Sequence, residues 1–538
     1  MFAHRWRAAR RLLAAEGPVA LVRAARAAWK RDREAALARY AEWAAEHSSP
    51  DAEALARRLA ALAHRPLVSV VMPVFDPPAT ALRAAIESVL AQAYPDWELS
   101  IADDGSSNAE VRALLEAFRA RDPRIHVARR AARGGISAAT NTALEAARGE
   151  YVAFLDHDDR LAPEALLAVA EELAAHPDAA LVYSDEDKLD FTGARTHPNF
   201  KPDWNEDLFL SHNIAAHLAV YRTDLVRALG GLREGFEGAQ DYDLALRVLE
   251  RAGASRIRHI PRVLYHWRMV PGSTALTAFE KGDAAERARR AIEEHLARRG
   301  IAAKVETLAG LGAQRVRYPL PAGARVDVLR MNDRNNGALG RNDAARGSKA
   351  DVLVFVGPGV APASQDAIDE LAAQALRADI GAVGGVLRDR RGAIVHGGTI
   401  LGAGHANRGR LRGEAGYMMR AALVQSLSAL PGDCFAVSRA LFESAGGFDA
   451  ALDRAFHDID FCLRVARDGR RNLYTPFAGF RAEADAILLP ACDAASLARF
   501  PAEAALLRER WGDVLAADPA YNPNLSLAAP FALARPPR

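Results

Sequence analysis

The chain has little cysteine and no long apolar run. Its 538 residues include three cysteines, all near the C-terminal end and none spaced as a metal-binding pair: Cys434, Cys462 and Cys492. Such scarcity is typical of a reducing compartment. The sequence also contains no run of about 20 apolar residues, the length needed to span a bilayer. Both absences predict a cytoplasmic protein.

A large excess of one charge sign is missing as well. Lys and Arg number 70 against 68 Asp and Glu, which gives a formal net charge of +2. No overall field therefore singles out nucleic acid, and we expect no nucleic-acid partner. With 26% charged residues, the chain has ample apolar material for several globular domains. Any electrostatic function must be local.

Positive charge is concentrated at the N-terminus, where residues 1–64 form a predicted basic helical segment. Arginines occur in nearly every turn, so the segment lacks the apolar core of a signal peptide. The apolar faces of two helices broken at Gly17-Pro18 would carry Trp6, Leu13, Val22 and Trp29. Such helices either lie in the membrane interface, as in a peripheral protein on the cytoplasmic face of the inner membrane, or pack on the body of the protein.

Strands and helices alternate after residue 65. VSVVMPVFD is an apolar, β-branched run, and WELSIADD, IHVAR and YVAFLD follow it with helical patterns between them. This alternation predicts an α/β domain with a mostly parallel sheet and helices on both faces. Ligands bind such sheets at the carboxyl ends of the strands, where the sequence has Asp76, Asp103, Asp104, Asp156 and Asp158.

A second segment, from about residue 325, looks like an incomplete copy of the first. VDVLRMNDRNNG and VLVFVGPGVAP align with IHVARRAARGGI and VAFLDHDDRLAP, and GGFDAALDRAFHDIDFCLRV aligns with GGLREGFEGAQDYDLALRV. The copy has no counterpart of residues 68–120, and Gly357-Pro358-Gly359 replaces Asp156-His157-Asp158. We therefore predict three units: 1–64, 65–300 and 325–538.

Asp156 and Asp158 place two carboxylates at one strand end. Clustered carboxylates are costly unless they share a cation or a proton. Mg²⁺ and Mn²⁺ prefer such ligands and keep open positions for phosphate oxygens. One hypothesis is a divalent ion that holds a diphosphate, and the alternative is a self-capping turn before the next helix. His157 and Asp159 are interpreted as turn residues only.

Two later stretches carry further polar groups. Asp241 precedes a helical pattern, so it is either a helix N-cap or a general base at the edge of a site. In YHWR, His266 either has a structural role or completes a metal site. Arg268 in the same stretch is suited to bind phosphate.

Four ordered motifs carry a resemblance to a known family. VSVVMPVFD, ADDGSS, FLDHDD and QDYD followed by YHWR closely resemble the family 2 glycosyltransferases of GT-A fold. SDEDKLD, FKPDWNEDL and RWGDVLAADPAYNPNLS are similar to stretches of bacterial O-antigen and rhamnan-type polysaccharide enzymes. The resemblance implies a catalytic GT-A domain at 65–300 and a truncated, non-catalytic GT-A-like domain at 325–538.

The resemblance also implies the substrates and the donor site. A sugar would pass from a UDP- or dTDP-linked donor to a glycan or lipid-linked glycan, with Mn²⁺ or Mg²⁺ as cofactor. The residues that match donor-binding positions are Pro73, Phe75, Asp76, Asp103, Asp104, Arg133 and Asp156.

The remaining roles follow by position in the same way. Asp156 and Asp158 match the metal-binding pair, and His266 matches a metal ligand of some members. Asp241 matches the base that deprotonates the acceptor, although Gln240 stands where the family often has Glu. The stretch that continues to Trp267 and Arg268 supplies candidate acceptor or phosphate contacts.

The second segment departs further from the family pattern. It keeps an acid, Asp458, at the base position, and Arg481 falls near the counterpart of His266. We also consider a second function class, in which the protein is an inactive sugar-nucleotide or glycan-binding scaffold. A nucleotidyltransferase is a third, but the chain lacks a glycine-rich signature with paired Arg and Lys after the first strand.

Overall fold

The structure is a computed structural model that describes residues 35, 37–48, 51–269, 282–483, 488 and 494–538. The predicted apolar helix positions Trp6, Leu13, Val22 and Trp29 lie outside these residues, as does Cys492. Within the described ranges, no helix has both the length and the apolar character needed to cross a membrane.

The first domain alternates strands and helices. Its strands are β1 (Val68–Val74), β2 (Trp97–Asp103), β3 (Ile125–Arg129), β4 (Tyr151–Phe154), β5 (Arg160–Leu161), β6 (Leu181–Leu189), β7 (Arg195–Asn199), β8 (Ala219–Arg222) and β9 (Ile257–Arg268). The helices from the N-terminal segment onward are α1 (37–47), α2 (Ala52–Ala60), α3 (Ala79–Leu90), α4 (Ala109–Arg121), α5 (Ile136–Ala146), α6 (Ala165–Ala175), α7 (Glu206–Phe209), α8 (Thr223–Ala228), α9 (Gln240–Ala252) and α10 (Gly282–Arg298).

The nine strands form one sheet in the order β3-β2-β1-β4-β8-β6-β9-β5, and β7 pairs with β6. Strands β1 to β4 are parallel, and β8 runs antiparallel between β4 and β6. The predicted α/β architecture is confirmed, with antiparallel pairing added beyond β4. Because the first four strands share a direction, their carboxyl ends meet at one edge of the sheet.

Apolar side chains cover both faces of this sheet. Val70 and Met72 of β1 pack in one layer with α3 and α6, whereas Val71 packs in the other with α5 and α9. Alternate residues of a strand point to opposite faces, so a strand buried on both sides is apolar throughout. This burial explains the continuous run VSVVM.

A two-stranded hairpin, β10 (Lys304–Leu308) and β11 (Ala313–Arg317), precedes the second domain. The strands of that domain are β12 (Val326–Arg330), β13 (Val352–Val356), β14 (Val360–Pro362), β15 (Ile380–Arg388), β16 (Ile394–His396), β17 (Thr399–Ile400), β18 (Gly404–His405), β19 (Gln425–Ser426), β20 (Cys434–Ser438) and β21 (Arg471–Ala482). Its helices are α11 (Ala338–Gly347), α12 (Gln365–Ala375), α13 (Arg439–Ser444), α14 (His457–Arg467), α15 (Ala494–Arg499) and α16 (Pro501–Ala516).

The second sheet has the order β12-β13-β20-β15-β21-β14. This is the order of the first sheet with the counterparts of β1 and β2 removed, so β12 pairs directly with β13. In the first sheet, β1 and β2 separate the corresponding strands β3 and β4. The missing stretch that the sequence alignment identified thus corresponds to two central strands.

The two domains contact each other through buried polar groups. Asp207 of α7 pairs with Arg377 at 2.7 Å and also with Arg471, both in the second domain. Near the C-terminus, the side-chain amides of Asn522 and Asn524 donate to the buried carboxylate of Asp185. Buried charged hydrogen bonds of this kind require a defined geometry, so they hold the C-terminal segment against β6.

Candidate active site

The carboxyl end of β4 leads into a turn that carries three aspartates. The amide of Asp159 donates to the carbonyl oxygen of Asp156 at 3.2 Å and closes the turn. Asp156 and Asp158 are partly buried, and Asp159 is fully buried. The turn therefore gathers three carboxylates at the edge where the parallel strands end.

Asp159 is more than the turn residue we expected. Its Oδ2 accepts a hydrogen bond from the hydroxyl of Tyr265 at 2.6 Å, and its Oδ1 accepts one from the amide of Arg268 at 2.7 Å. Burial, together with the charges of Asp156 and Asp158, raises its pKa well above the usual range. Asp159 fastens the turn to β9.

Asp156 lies in a field of like charges. Burial raises its pKa, and the carboxylates of Asp158 and Asp241 raise it further, whereas His217 opposes them. A carboxylate in this position gains stabilisation from any cation that binds beside it. His157, next to Asp156 in the chain, also lowers the pKa of Asp156.

The donor set of this turn fits a hard divalent ion. Mg²⁺ and Mn²⁺ are usually held by one or two carboxylates, with water and phosphate oxygens in the other positions, and Asp156 and Asp158 match that pattern. Among the described residues, however, no three His, Cys, Asp or Glu side chains converge to hold a metal. The expected three-ligand set that includes His266 is therefore not formed in this structure.

His266 is oriented by a buried carboxylate. Its Nδ1 lies 2.6 Å from Oδ1 of Asp187, whose Oδ2 accepts hydrogen bonds from Tyr40 of α1 and from Arg195. Burial raises the pKa of Asp187, but the hydrogen bond and charge of His266 and the charge of Arg195 outweigh it and lower that pKa. The N-terminal helix α1 thus contacts the residue that positions His266.

Asp241 lies in the first turn of α9. The N-cap of this helix is Ala239, so Asp241 does not cap it. Nδ2 of Asn213 donates to Oδ2 of Asp241 at 2.9 Å. Burial raises the pKa of Asp241. His217, the backbone amides of Tyr242 and Asp241, and the hydrogen bond from Asn213 lower that pKa in part. A partly buried, oriented carboxylate with a raised pKa is suited to accept a proton from a hydroxyl group.

Asp76 and Asp103 organise the loops that follow β1 and β2. The carboxylate of Asp76 accepts hydrogen bonds from Ser107 and from the amide of Asn108, and these bonds lower its pKa. Oδ1 of Asp103 accepts the amide of Ser106 at 2.8 Å. Both carboxylates therefore lie at the carboxyl edge, and both accept hydrogen bonds from the loop that follows β2.

Asp104 organises the loop that precedes α5. Its two oxygens accept the amides of Gly134 and Gly135 at 2.9 and 2.8 Å, and Nε of Arg130 lies 2.8 Å from Oδ1. Gly135 has a φ of +89°, a conformation that suits glycine. Asp104 holds the loop before α5 in place, so both of its oxygens are already used by the protein.

The other predicted donor residues lie at the same edge. The guanidinium of Arg133 stacks 4.0 Å from the ring centre of Phe75. The carbonyl oxygen of Pro73 lies 3.0 Å from Nδ1 of His157. His157, which we interpreted as a turn residue only, therefore connects the aspartate turn to the end of β1.

Trp267 and Arg268 lie on β9 beside the aspartate turn. Nε of Arg268 donates to the carbonyl oxygen of Asp158 at 2.7 Å. The Trp267 ring lies 5.3 Å from the ring of His217, and the ammonium of Lys188 lies 4.7 Å from its centre. Arg268 thus supports the backbone of the turn directly.

Three residues of this site were not found from the sequence: Asn213, His217 and Tyr265. Asn213 and His217 lie in a largely apolar stretch that no motif marks, and Tyr265 begins the YHWR motif but was given no role there. Tyr265 is covered by the ring of His217, with 4.6 Å between ring centres and 17° between planes. Only the insertion of β8 between β4 and β6 brings His217 to the aspartate turn.

The model of the family described as "Glycosyl transferase family 2" matches residues 69–230, which include the turn at Asp156 and Asp158. Residues 69–230 are a family 2 glycosyltransferase domain. The α/β architecture expected for this domain is present, and its matched range begins in β1.

Similarity to two curated proteins extends over most of the chain. The protein y4gI of Sinorhizobium fredii is 38% identical over 543 residues, covering 88% of this chain and 60% of that protein. The O-antigen biosynthesis protein RfbC of Myxococcus xanthus is 32% identical, covering 92% of this chain and 43% of RfbC. The chain thus spans about half the length of these curated relatives. The structure of S. aureus TarS 1-349 in complex with UDP-GlcNAc is 20% identical, covers 43% of this chain and 66% of that one, and has a TM-score of 0.35.

The second domain repeats local contacts of the glycosyltransferase domain. Asn141 of α5 exchanges two hydrogen bonds with the backbone of Leu232, and Asn342 of α11 does the same with Phe448. Each pair closes a Gly-Gly turn before the helix that carries the base position. These matched contacts support the internal repeat found in the sequence.

The acid pair Asp156 and Asp158 of the first domain has no counterpart in the second domain. Gly357 stands at the position of Asp156, and a Cβ there would collide with the carboxylate of Asp433. Strand register places Asp433 at the counterpart of His217, because Ala153 pairs with Val220 and Val354 pairs with Ala436. The second domain thus has a glycine where the first has Asp156, and an aspartate where the first has His217.

A buried arginine neutralises the acids of the second domain. The guanidinium of Arg341 is fully buried, lies 3.8 Å from Asp433 and donates to the carbonyl oxygen of Gly432. Asp458, at the base position, is 2% exposed and accepts the amide of Gly432 at 2.7 Å. Asp241, the counterpart of Asp458 in the first domain, is partly exposed, whereas the second site is filled by its own side chains.

Proposed function

We propose that the protein is an inverting, metal-dependent glycosyltransferase that moves a sugar from a nucleoside diphosphate donor to a hydroxyl of a growing cell-surface polysaccharide of the O-antigen type. The observation that carries this proposal is that one turn after β4 presents two carboxylates, while Asn213 orients a separate carboxylate, Asp241, in the first turn of α9. Asp156 and Asp158 form an acid pair, and the charge of Asp241 acts on Asp156. Such a transferase needs one set of groups for the diphosphate and another for the proton of the acceptor.

Asp241 acts as the general base. A sugar hydroxyl is a poor nucleophile at neutral pH, so removal of its proton as it attacks the anomeric carbon lowers the barrier. The new bond joins the acceptor oxygen to the anomeric carbon, and the bond from that carbon to the phosphate oxygen breaks. The proton passes to Asp241, whose carboxylate Asn213 keeps oriented. Attack opposite the leaving group inverts the anomeric configuration without a covalent enzyme intermediate.

Asp156 and Asp158 would hold Mn²⁺ or Mg²⁺ together with the diphosphate. When bound, such an ion supplies positive charge for the leaving nucleoside diphosphate. Asp159, Tyr265 and Arg268 keep the turn in shape through hydrogen bonds to its backbone and side chain. His266 is held by Asp187 and would contact the diphosphate side of the site.

The donor's nucleoside, linked through UDP or dTDP, would lie along the ends of β1 and β2. Pro73, Phe75, Asp76, Asp103 and Arg133 line this edge, and Asp104 shapes the loop behind it. The acceptor, a glycan or lipid-linked glycan, would approach past Trp267. A lipid-linked acceptor would also bring residues 1–64 to the cytoplasmic surface of the inner membrane.

The second domain is non-catalytic in this proposal and serves as a platform for the acceptor chain or a partner. The buried cluster around Arg341, Asp433 and Asp458 supports this role, because it leaves no open pair of acids there. Similarity to the O-antigen biosynthesis protein RfbC supports the class of polysaccharide.

Thermal-shift measurements with a panel of nucleotide sugars test the proposal, because a ligand that binds the native state raises its apparent stability. We expect one UDP- or dTDP-linked donor to stabilise the full chain only when Mn²⁺ is present. Turnover with a suitable acceptor should release free nucleoside diphosphate, whereas pyrophosphate would identify a nucleotidyltransferase. Donor binding without any turnover would favour the scaffold alternative.

A further inference from the structure

His217 is a partly exposed imidazole inside the proposed site. One ring face covers Tyr265, whose hydroxyl contacts both Asp156 and Asp159. Neither ring nitrogen of His217 has a hydrogen-bond partner among the described residues, and neither is a buried atom without a partner. The ring nitrogens are therefore available to a ligand, while one face of the ring is stacked on Tyr265.

The position of His217 is built into the fold. The ammonium group of Lys201, 2% exposed, donates to the carbonyl oxygens of Ala216 and His217, the latter at 2.7 Å. The amide of Lys201 donates to Asp185, which also receives the side chain of Asn522. Burying an ammonium group is costly unless its N–H groups donate hydrogen bonds. The hydrogen bonds from Lys201 satisfy this need and hold the backbone of Ala216 and His217 in place.

The segment that carries His217 contacts both halves of the proposed site: His217 stacks on Tyr265 at the aspartate turn, and Asn213, four residues earlier, donates to Asp241. His217 acts electrostatically on Asp156, at the diphosphate side, and on Asp241, at the acceptor side. The bond that breaks in a transfer reaction joins the sugar to the diphosphate, and it has to lie between these two carboxylates. In the second domain, where the acid pair is lost, the same position holds Asp433.

We propose that His217 is a catalytic residue whose imidazole donates a hydrogen bond to the donor where the sugar joins the diphosphate. This inference rests on the proposed function and adds a residue to it. Hydrogen-bond donors aimed at charge that develops during the reaction typically contribute a factor of about 10² to 10³ in rate. A carboxylate in the same position, as in the second domain, would repel the diphosphate.

The test compares His217→Phe and His217→Gln with the wild-type chain. Phe keeps the stacking on Tyr265 but removes the donor, whereas Gln keeps a donor. We expect His217→Phe to lower kcat by a factor of about 10² and to weaken UDP or dTDP binding in the presence of Mn²⁺. Affinity for UMP or dTMP should stay within about twofold, and Gln should recover part of kcat. His64→Phe, at an exposed histidine, is the control and should match wild type.

Two results would overturn the inference. One is wild-type kcat in His217→Phe, and the other is an equal loss of affinity for the nucleoside monophosphate and diphosphate, which indicates a structural role. A wild-type chain that transfers no sugar from any UDP- or dTDP-linked donor would instead contradict the proposed function itself. Unfolding temperatures of both variants separate these results from loss of the fold.

Discussion

Nδ2 of Asn213 donates a hydrogen bond to Oδ2 of Asp241 at 2.9 Å. Asn213 lies in the segment between α7 and β8, and Asp241 lies in the first turn of α9. The contact fixes the orientation of a partly buried carboxylate. It also favours the ionised form, against the effect of burial, so the two residues together set when Asp241 accepts a proton.

The first prediction concerns Asp241 itself. Asp241→Asn keeps the size of the side chain but cannot accept a proton, so we expect kcat to fall by a factor of about 10² to 10⁴. Donor affinity should be unchanged, because the substitution leaves the diphosphate side intact. Steady-state kinetics and donor titration measure the two quantities. Asp178→Asn, at an exposed aspartate, is the control, and unchanged turnover in Asp241→Asn would exclude Asp241 as the base.

The second prediction is a pH dependence. Asp241 must be ionised to act, so kcat/KM should fall as the pH falls through its pKa. Since burial raises that pKa, the loss of activity should occur above the usual aspartate value of about 4. Asn213→Ala removes a hydrogen bond that lowers the pKa, so the acidic limb of the kcat/KM profile should move to higher pH. A limb that stays in place or moves to lower pH would contradict this assignment.

The third prediction concerns the acid pair. Asp158→Asn removes one of the two carboxylates proposed to hold the metal, so Mn²⁺-dependent binding of the nucleoside diphosphate should weaken strongly. Removal of divalent ions with a chelator should have the same effect on the wild-type chain. Calorimetric titration with and without Mn²⁺ measures both effects. Donor binding that does not depend on metal would count against Asp158 as a ligand.

The fourth prediction concerns the acid of the second domain. Burial raises the pKa of Asp458 to about 6, so the folded chain binds this proton more tightly than the unfolded chain, whose pKa is about 4. The resulting stabilisation is present below pH 4 and is lost as the pH rises to 6 and above. Relative to Asp458→Asn, the wild-type free energy of unfolding should therefore fall by roughly 1–3 kcal/mol over this range.

The same variant also tests the role of the second domain. Because Asp458 is buried beside Gly432 in a domain that lacks the acid pair, Asp458→Asn should leave sugar transfer at the wild-type rate. Denaturant unfolding at pH 4 and pH 7 gives the stability difference, and a transfer assay gives the activity. A loss of transfer comparable to that of Asp241→Asn would show that this domain has a catalytic role.

The fifth prediction concerns the C-terminal contact. The side chain of Asn522 donates to both oxygens of Asp185, which is 0% exposed. Asn522→Ala leaves part of this carboxylate without a hydrogen bond, so we expect the full chain to lose about 1–3 kcal/mol of stability. Denaturant unfolding measures the change. An unchanged free energy of unfolding would mean that water replaces the amide at no cost.

Much of the first domain was predictable because its pattern is local. Strand β1 is buried on both faces, so its apolar run marks it, and the carboxylates that follow β1, β2 and β4 mark the edge where ligands bind. The assigned roles of Asp156, Asp158 and Asp241 remain predictions. The charges of Asp158 and Asp241 do raise the pKa of Asp156.

Other roles could not be predicted because they depend on partners distant in sequence. No local pattern shows that the amides of Gly134 and Gly135 donate to the carboxylate of Asp104, whose role as a donor contact stays a prediction. Asp159 looked like a turn residue, but Tyr265 and Arg268, more than a hundred residues later, bind its carboxylate. The local sequence does not distinguish a carboxylate that is available to a ligand from one that accepts hydrogen bonds from a protein loop.

The sequence by itself determined the α/β class, the repeat, the strand ends that carry acids, and the loss of those acids in the second copy. These features follow from residue type and short-range periodicity. The tertiary structure alone decided which acids stay open, how His217 enters the site and how Arg341 closes its counterpart. Those outcomes depend on sheet order and burial, because the pKa and the hydrogen-bonding capacity of a group are set by neighbours that the chain brings together only when it folds.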